Sequence, residues 1–270
     1  MSDPVKLVDD DPLAIVDEMV ARFQQDAGRT LYPAQIERLL IDQIAYREAL
    51  VRAAINDVAR QNLVAYARAP MLDYLGELVG VARLPGEDDE RLRERIRLAP
   101  EHFSVAGPRL AYRFHAMSAD ASILDVAVLS PQPGDVILYP LTTSGLPSEL
   151  IKGKVLLAAA ADDARPLCDS VAVADPVDTA YEVSASINVF AWADAQTTRT
   201  AALEAVRAFC ATKAATLGND ITRSALIAAL HVSGVHSVAL TAPAVDMLVP
   251  ENVWTHAQRI EVAISGVIDD

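Results

Sequence analysis

The stretch MLDYLGELVGVARLPGEDDERLRERIRLAPEHFSVAGPRLAY, from Met71 to Tyr112, separates two parts of the chain that differ in character. Before this stretch the sequence has the pattern of helices almost without a break, and after it short β-like runs alternate with helices. Within it, leucines at helical spacing precede Gly80, a residue typical of a helix C-terminus. Pro85-Gly86 predicts a turn. We therefore expect the chain to change here from an all-helical to a mixed architecture.

Charged residues follow that turn in two groups. The acidic run Glu87–Glu90 falls at the predicted start of a second helix, where the helix dipole favours negative charge. A break at Ser104–Gly107 precedes Pro108, which suits the first position of a further helix. Four arginines are predicted nearer the C-terminal end of the second helix: Arg91, Arg93, Arg95 and Arg97.

Upstream of this stretch the pattern predicts one short helix and one unusually long helix. Residues 12–27 have an apolar face and are followed by Gly28. Between Pro33 and Pro70 no glycine or proline interrupts the helical periodicity. The pattern therefore predicts a single helix over residues 33–69, about 50 Å long at a rise of about 1.5 Å per residue.

The apolar residues of this long helix lie on more than one side. Ile44, Val51 and Val58 recur every seven residues, and a helix that is apolar on several sides needs several neighbours. The first hundred residues offer few other helices. Two interpretations stay open: a helical bundle formed within the chain, and packing of part of the helix against another polypeptide. The second interpretation predicts an interface of six residues: Ile36, Leu40, Ile44, Val51, Ile55 and Val58.

Downstream, the pattern indicates two related α+β units, each a small sheet covered by helices on one face. The first reads helix–strand–strand–helix–strand, with strands such as Ser122–Ser130. The second contains an alternating strand at Tyr181–Ala191, a helix at Ala195–Ala215 and a final strand at Ala257–Ser265. The predicted fold class is α+β. The predicted domains are an N-terminal helical region at residues 1–100, a first α+β domain at residues 101–175 and a second at residues 176–270.

Composition limits the classes of partner. The net charge of the 270 residues is −14, and neither half of the chain offers the basic field that a nucleic-acid backbone requires. No apolar run approaches the roughly 20 residues that span a bilayer, and the acidic N-terminus lacks the order of a signal peptide. Cys168 and Cys210 are isolated thiols, expected to be buried or half-buried, and fit a reducing compartment. We expect a cytoplasmic product that binds neither nucleic acid nor membrane.

No catalytic or cofactor-binding motif stands out. The chain lacks a nucleophile elbow, a phosphate-binding loop and a dinucleotide fingerprint. His231 and His236 flank a glycine turn, but no cysteine or aspartate accompanies them as a metal site would need. The sequence therefore predicts no cofactor, no metal and no enzymatic activity.

Two alternatives to a structural protein remain. One is a hydrolase acting on a polymer such as cell wall, which would need paired carboxylates at one cleft. Its candidates at strand ends and turns are Asp125, Asp135 and Asp169, residues that turn formation and capping explain more simply. The other is a small-molecule binding module, which would need a concave pocket with converging polar groups.

Four blocks of the chain, in this order, resemble the baseplate J-like proteins of contractile-tailed phages and related phage-tail particles. Their motifs are a leucine-rich helix with a Gly-Val-x-Arg turn, a Ser-x-Ala-Gly-Pro helix start, a strand–turn–strand, and an Arg-Pro-Leu-x-Asp step. Cys168 departs from the last motif by replacing a small polar residue. The blocks are Leu72–Ile96, Ser104–Ala116, Asp125–Leu141 and Val155–Pro176.

The resemblance implies a structural subunit of the baseplate wedge, part of a sixfold ring around the tail hub. It implies association with another wedge protein through long helices, self-association through the α+β domains, and contact with tail hub proteins. No cofactor or catalytic residue comes with this family. The implied location is the virion tail baseplate, after assembly in the cytoplasm of a host bacterium.

Overall fold

The computed structural model describes residues 5–103, 107–161 and 164–269, and it confirms the predicted α+β class. The described residues form eight helices and two three-stranded sheets, with the first helices preceding every strand. Ser104, Val105 and Ala106 of the helix-start motif lie outside the described residues, as do Asp162 and Asp163, for which the sequence predicts a polar turn. Two compact units divide the chain: Met1–Arg83 with Asp88–Arg97, and Leu84–Glu87 with Leu98–Asp270.

The first unit is built on helices. Asp11 accepts a hydrogen bond from the backbone N–H of Leu13 at 3.0 Å and so begins the first helix, which ends at Gly28 in the left-handed region (φ 64°). This helix packs its buried Ile15 against two alanines of the second helix, where small side chains permit close contact. The helices are α1 (Pro12–Ala27), α2 (Ile36–Gln61), α3 (Met71–Glu77) and α4 (Asp89–His102).

Helix α2 is shorter than the helix predicted over residues 33–69. It contains 26 residues and is about 39 Å long. The side-chain amide of Asn62 donates to the carbonyl oxygen of Val58 at 2.9 Å, and the side-chain oxygen of Gln61 accepts from the N–H of Arg68 at 3.0 Å. The prediction that the helix continues to Ala69 is therefore wrong, because side chains take over backbone groups that a longer helix would have paired.

The chain before α1 lies along α2. The side chain of Asn56, which is fully buried, accepts from the N–H groups of Leu7 and Val8 at 2.8 and 3.1 Å and donates to the carbonyl oxygen of Val8 at 3.0 Å. Arg52 and Arg60, one turn to either side, donate to the carbonyl oxygens of residues 9 and 5 at 3.1 and 3.2 Å. This side of α2 is therefore polar and already occupied by the chain's own backbone.

Helix α4 reaches back to the loop that follows α2. The guanidinium of Arg93 is buried and donates to the carbonyl oxygens of Val64 at 2.7 Å and Ala67 at 2.6 Å. The four arginines follow the acidic start of α4, and because the helix continues to His102, Arg91, Arg93 and Arg95 lie in its first half and Arg97 just past its middle. The buried arginines of this helix are Arg91, Arg93 and Arg95.

The second unit begins its mixed structure with a sheet in the order β1-β2-β3. Strands β1 and β2 are antiparallel, and β3 joins β2 in parallel after a helical crossover. Tyr112, Met117, Leu138 and Val155 are buried between this sheet and its helices. The elements are α5 (Arg109–Ala119), β1 (Ile123–Leu129), β2 (Asp135–Thr142), α6 (Glu149–Ala159) and β3 (Ser170–Val173).

The remaining elements form a second sheet in the order β5-β4-β6. Its central strand again has one antiparallel and one parallel neighbour. The final strand begins four residues earlier than predicted, because it pairs with β4 from Val253 to Ile268. Ile187, Val206 and Leu226 belong to the core under its helices. The elements are β4 (Val177–Phe190), α7 (Ala195–Ala214), α8 (Arg223–Leu230), β5 (Val235–Ala242) and β6 (Val253–Ile268).

Side chains join the two sheet-containing parts of this unit. The buried carboxylate of Asp125 lies 2.9 Å from Nη1 of Arg113 and accepts from the N–H of Leu217 at 2.8 Å. The ring of Trp254 lies over Gly145, where an added Cβ would approach Cη2 to 2.7 Å. The two parts are therefore joined by a hydrogen bond to the Asp125 carboxylate and by close packing of the Trp254 ring on Gly145.

Candidate interaction surface on helix α2

Helix α2 has one side covered by its own chain. Ala45, Ala49 and Asn56 are buried and fall on one side of the helix, under α1 and the segment before it. Ion pairs reinforce the flanks of this side, as between Arg52 and Glu48 at 2.9 Å. The covered side therefore accounts for only part of the apolar surface that the sequence of α2 carries.

The six residues predicted as an interface lie on the opposite side and are exposed. At about 100° per residue they fall within an arc of about 100°, as one continuous apolar stripe. Their exposed fractions run from 44% for Ile55 to 73% for Ile36. We refer to this set as the α2 stripe: Ile36, Leu40, Ile44, Val51, Ile55 and Val58.

A second, shorter row of exposed apolar side chains lies beside the α2 stripe. Leu39, Tyr46 and Leu50 are each more than half exposed, and their spacing of seven and four residues places them on one face. This row is not part of the predicted interface, although its spacing could have revealed it. The uncovered part of α2 is thus wider than the predicted interface.

The three carboxylates considered for hydrolysis do not face one cleft. Both oxygens of Asp125 are engaged by Arg113 and by a backbone N–H, while Asp135 is exposed. Asp169 accepts from the hydroxyl of Tyr112 at 2.7 Å; burial and this hydrogen bond raise the pKa of Tyr112 above its usual range. Asp169 lines a cavity of about 300 Å³, and Asp125 lines a different one of about 220 Å³. This arrangement suits structural bonds better than paired acid–base chemistry.

Other titratable groups are also held in structural bonds. The carboxylate of Asp120 accepts from Lys154 at 2.6 Å and from the hydroxyl and N–H of Ser122 at 2.7 and 2.9 Å. These bonds, that of Lys154 foremost, lower the pKa of Asp120 to about 2. The pair ties helix α6 to the start of strand β1.

The remaining sequence candidates lie apart. His231 and His236 are exposed, and the ring of His236 packs edge-on against Phe190 at a centroid distance of 5.1 Å. Cys210 is buried as expected, but Cys168 is exposed, so that part of the prediction is wrong. Within residues 5–103, 107–161 and 164–269, no group of three or more His, Cys, Asp or Glu side chains could hold a metal ion.

Two further features concern ligands and membranes. An open cavity of about 560 Å³ lies on α6, lined by Gly153, Leu156, Leu157, Ala160 and Ala161, none of which has a polar side chain. Such a lining lacks the converging polar groups of a specific small-molecule site. Over the described part of the chain, no helix combines the length and apolarity that crossing a membrane requires.

Comparison with known proteins places these features in a family. The chain matches the baseplate J-like N-terminal domain over residues 38–86, the baseplate J-like central domain over residues 104–175 and the baseplate J-like protein C-terminal domain over residues 181–263. It is 34% identical over 262 residues to baseplate protein J of Escherichia phage P2, an alignment that covers 90% of this chain and 86% of that protein. The chain therefore belongs to the baseplate J-like family.

Proposed function

We propose that this protein is a structural subunit of the baseplate wedge of a contractile phage tail. In this proposal it assembles with another wedge protein through the α2 stripe and with copies of itself through the α+β domains, in a ring around the tail hub. Membership of the baseplate J-like family and the likeness to baseplate protein J of phage P2 support a structural role in the baseplate. The proposed location is the tail baseplate of the virion, after assembly in the host cytoplasm.

The observation that carries the proposal is the exposure of the α2 stripe. Six large apolar side chains on one helix face are each at least 44% exposed, although the same helix packs its other side within the chain. Contiguous apolar patches of this kind mark interaction sites more often than ordinary surface. An amphipathic helix laid along the α2 stripe would bury it, and a few central residues would carry most of the binding energy.

The bonding of the carboxylates supports a protein without catalytic activity. Asp125 and Asp169, two of the three hydrolase candidates, already hold neighbouring groups of the fold in place. No observation on these residues favours polymer hydrolysis over this structural use. We therefore propose one function and regard the hydrolase as the weaker alternative.

The test replaces one apolar residue of the α2 stripe by an acidic residue and measures whether tail particles still assemble. The protein is expressed together with the other genes of its tail cluster, and tail particles are recovered by sedimentation and counted by electron microscopy. We expect Val51→Asp to reduce particle yield at least tenfold, because truncating or charging a central anchor costs roughly 2 kcal/mol or more.

The matched control is Leu13→Asp, which places the same charge at an apolar residue of α1 that is 74% exposed and lies outside both the α2 stripe and the α+β domains. We expect this control to assemble normally, and both variants to melt like the unchanged protein by circular dichroism. Normal particle yield from Val51→Asp, or an equal loss of thermal stability and of assembly, would contradict the proposed docking surface.

A further inference from the structure

One charged residue of α2 differs from all the others. Among the described residues, seven of the eight charged side chains of α2 take part in ion pairs, and the guanidinium of Arg47 takes part in none. Arg47 is exposed. The ion pairs of α2 are Arg29–Glu37 at 2.6 Å, Arg38–Asp42 at 2.9 Å, Glu48–Arg52 at 2.9 Å and Asp57–Arg60 at 3.0 Å.

Arg47 lies inside the α2 stripe. At about 100° per residue it falls between Ile36 and Leu40 around the helix, and along the helix it lies between Ile44 and Val51. A helix that covers the stripe would therefore remove the surroundings of Arg47 from water as well. A cation withdrawn from water without a partner is costly, whereas a carboxylate in bonding geometry offsets that cost.

The position of Arg47 argues against a second copy of α2 as the partner. The stripe runs from Ile36 to Val58, and residue 47 is its midpoint. Two copies aligned over the whole stripe would place Arg47 opposite Arg47, whether the helices ran parallel or antiparallel. Two like charges facing each other in a partly dehydrated seam disfavour such a pair.

We propose that the helix that covers the α2 stripe belongs to a different polypeptide and carries an aspartate or glutamate facing Arg47. This inference rests on the proposed function, since it specifies the chemistry of the partner at the same surface. The partner presents apolar side chains on either side of its acid, toward Ile44 and Val51. One acid suffices, because the other charged groups of α2 are already neutralised by neighbours in the chain.

The experiment measures binding of designed helices to the full-length protein. Three 26-residue amphipathic peptides, equal in length to α2, share one apolar seam and differ only at its central position, which is Glu, Gln or Lys. A fourth peptide has the sequence of α2 itself. Each carries a fluorophore, and its dissociation constant is measured by anisotropy at low salt and again at high salt, where charge attraction is screened.

We expect the Glu peptide to bind about tenfold more tightly than the Lys peptide, with the Gln peptide between them and the difference reduced at high salt. Arg47→Glu should reverse this order. Arg207→Glu makes the same charge change at an exposed arginine of α7 and should leave the order unchanged.

The outcomes separate the two proposals. If the Glu and Lys peptides bind equally, or if Arg47→Glu does not reverse their order, the acidic partner is refuted while the apolar docking surface stands. If the α2 peptide binds as tightly as the Glu peptide, the assignment to a different polypeptide is refuted. If none of the four peptides binds, the docking surface itself is refuted, and the acidic partner with it.

Discussion

The guanidinium of Arg93 illustrates how much a single side chain decides in the first unit. It is buried, and it donates to two carbonyl oxygens of the loop after α2, at Val64 and Ala67. From the sequence, the arginines of α4 could be placed after the acidic start of the helix, but no pattern indicated that three of them would be buried. The two carbonyl groups that Arg93 bonds lie 29 and 26 residues earlier in the chain, and no local pattern identifies such partners.

Replacing Arg93 by methionine should destabilise the protein by about 2–4 kcal/mol, because buried carbonyl groups would lose charged donors and stay unpaired. Urea denaturation followed by circular dichroism measures this loss. Arg97→Met is the matched control, since Arg97 is an exposed arginine of the same helix, and its effect should stay within about 0.5 kcal/mol. Equal stability of both variants would show that these hydrogen bonds contribute little.

Helix α2 shows what element-scale patterns can and cannot predict. Its apolar periodicity was sufficient to predict the helix and to place the α2 stripe on one face. Its end was not predictable, because residues 63–69 have good helix formers and yet leave the helix, with backbone groups bonded to the side chains of Gln61 and Arg93. Which side of α2 the chain covers also depended on a contact between Asn56 and residues 48 positions earlier.

Two helix glycines allow a matched prediction at this scale. A Cβ added at Gly153 in α6 meets nothing within 4 Å, so Gly153→Ala should stabilise the protein by about 0.5–1 kcal/mol through helix propensity and chain entropy. A Cβ added at Gly76 in α3 would approach the carbonyl oxygen of Val81 to 2.6 Å and Ile96 to 3.2 Å. Gly76→Ala should therefore destabilise by about 1–3 kcal/mol. Thermal melts should show a higher melting temperature for Gly153→Ala and a lower one for Gly76→Ala than for the unchanged protein. A shift of both melting temperatures in the same direction would contradict this packing.

At the scale of the whole molecule, the order of helices and strands was largely predictable, whereas the bonds between them were not. The predicted sequence of elements in both α+β parts agrees with the structure, with ends shifted by a few residues. The bond from Leu217 to Asp125 joins residues 92 positions apart, whereas the sequence pointed only to a turn or capping acid or, less simply, to a catalytic one. Its structural use became visible only once both sheets were placed.

Replacing Asp125 by alanine should lower the free energy of unfolding by about 2–3 kcal/mol, because Arg113 and the N–H of Leu217 lose a buried carboxylate acceptor. Chemical denaturation monitored by the fluorescence of Trp254, which lies at the same junction, measures the change. Asp135→Ala removes an exposed carboxylate from the same sheet and should have almost no effect. Similar midpoints for the two variants would refute a stabilising junction at Asp125.

The hydrogen bonds of Asn56 to the segment before α1 limit how the sequence of residues 5–9 can vary. These hydrogen bonds go to the backbone of Leu7 and Val8, and the bonds of Arg52 and Arg60 to this segment go only to carbonyl groups. The bonds to α2 therefore constrain the backbone of residues 5–9 and not the identity of their side chains. A proline at position 7 or 8 is the exception, since it would remove an N–H that donates to the side-chain oxygen of Asn56. An inserted or deleted residue would shift the backbone groups of this segment away from the side chains of Asn56, Arg52 and Arg60 that bond to them.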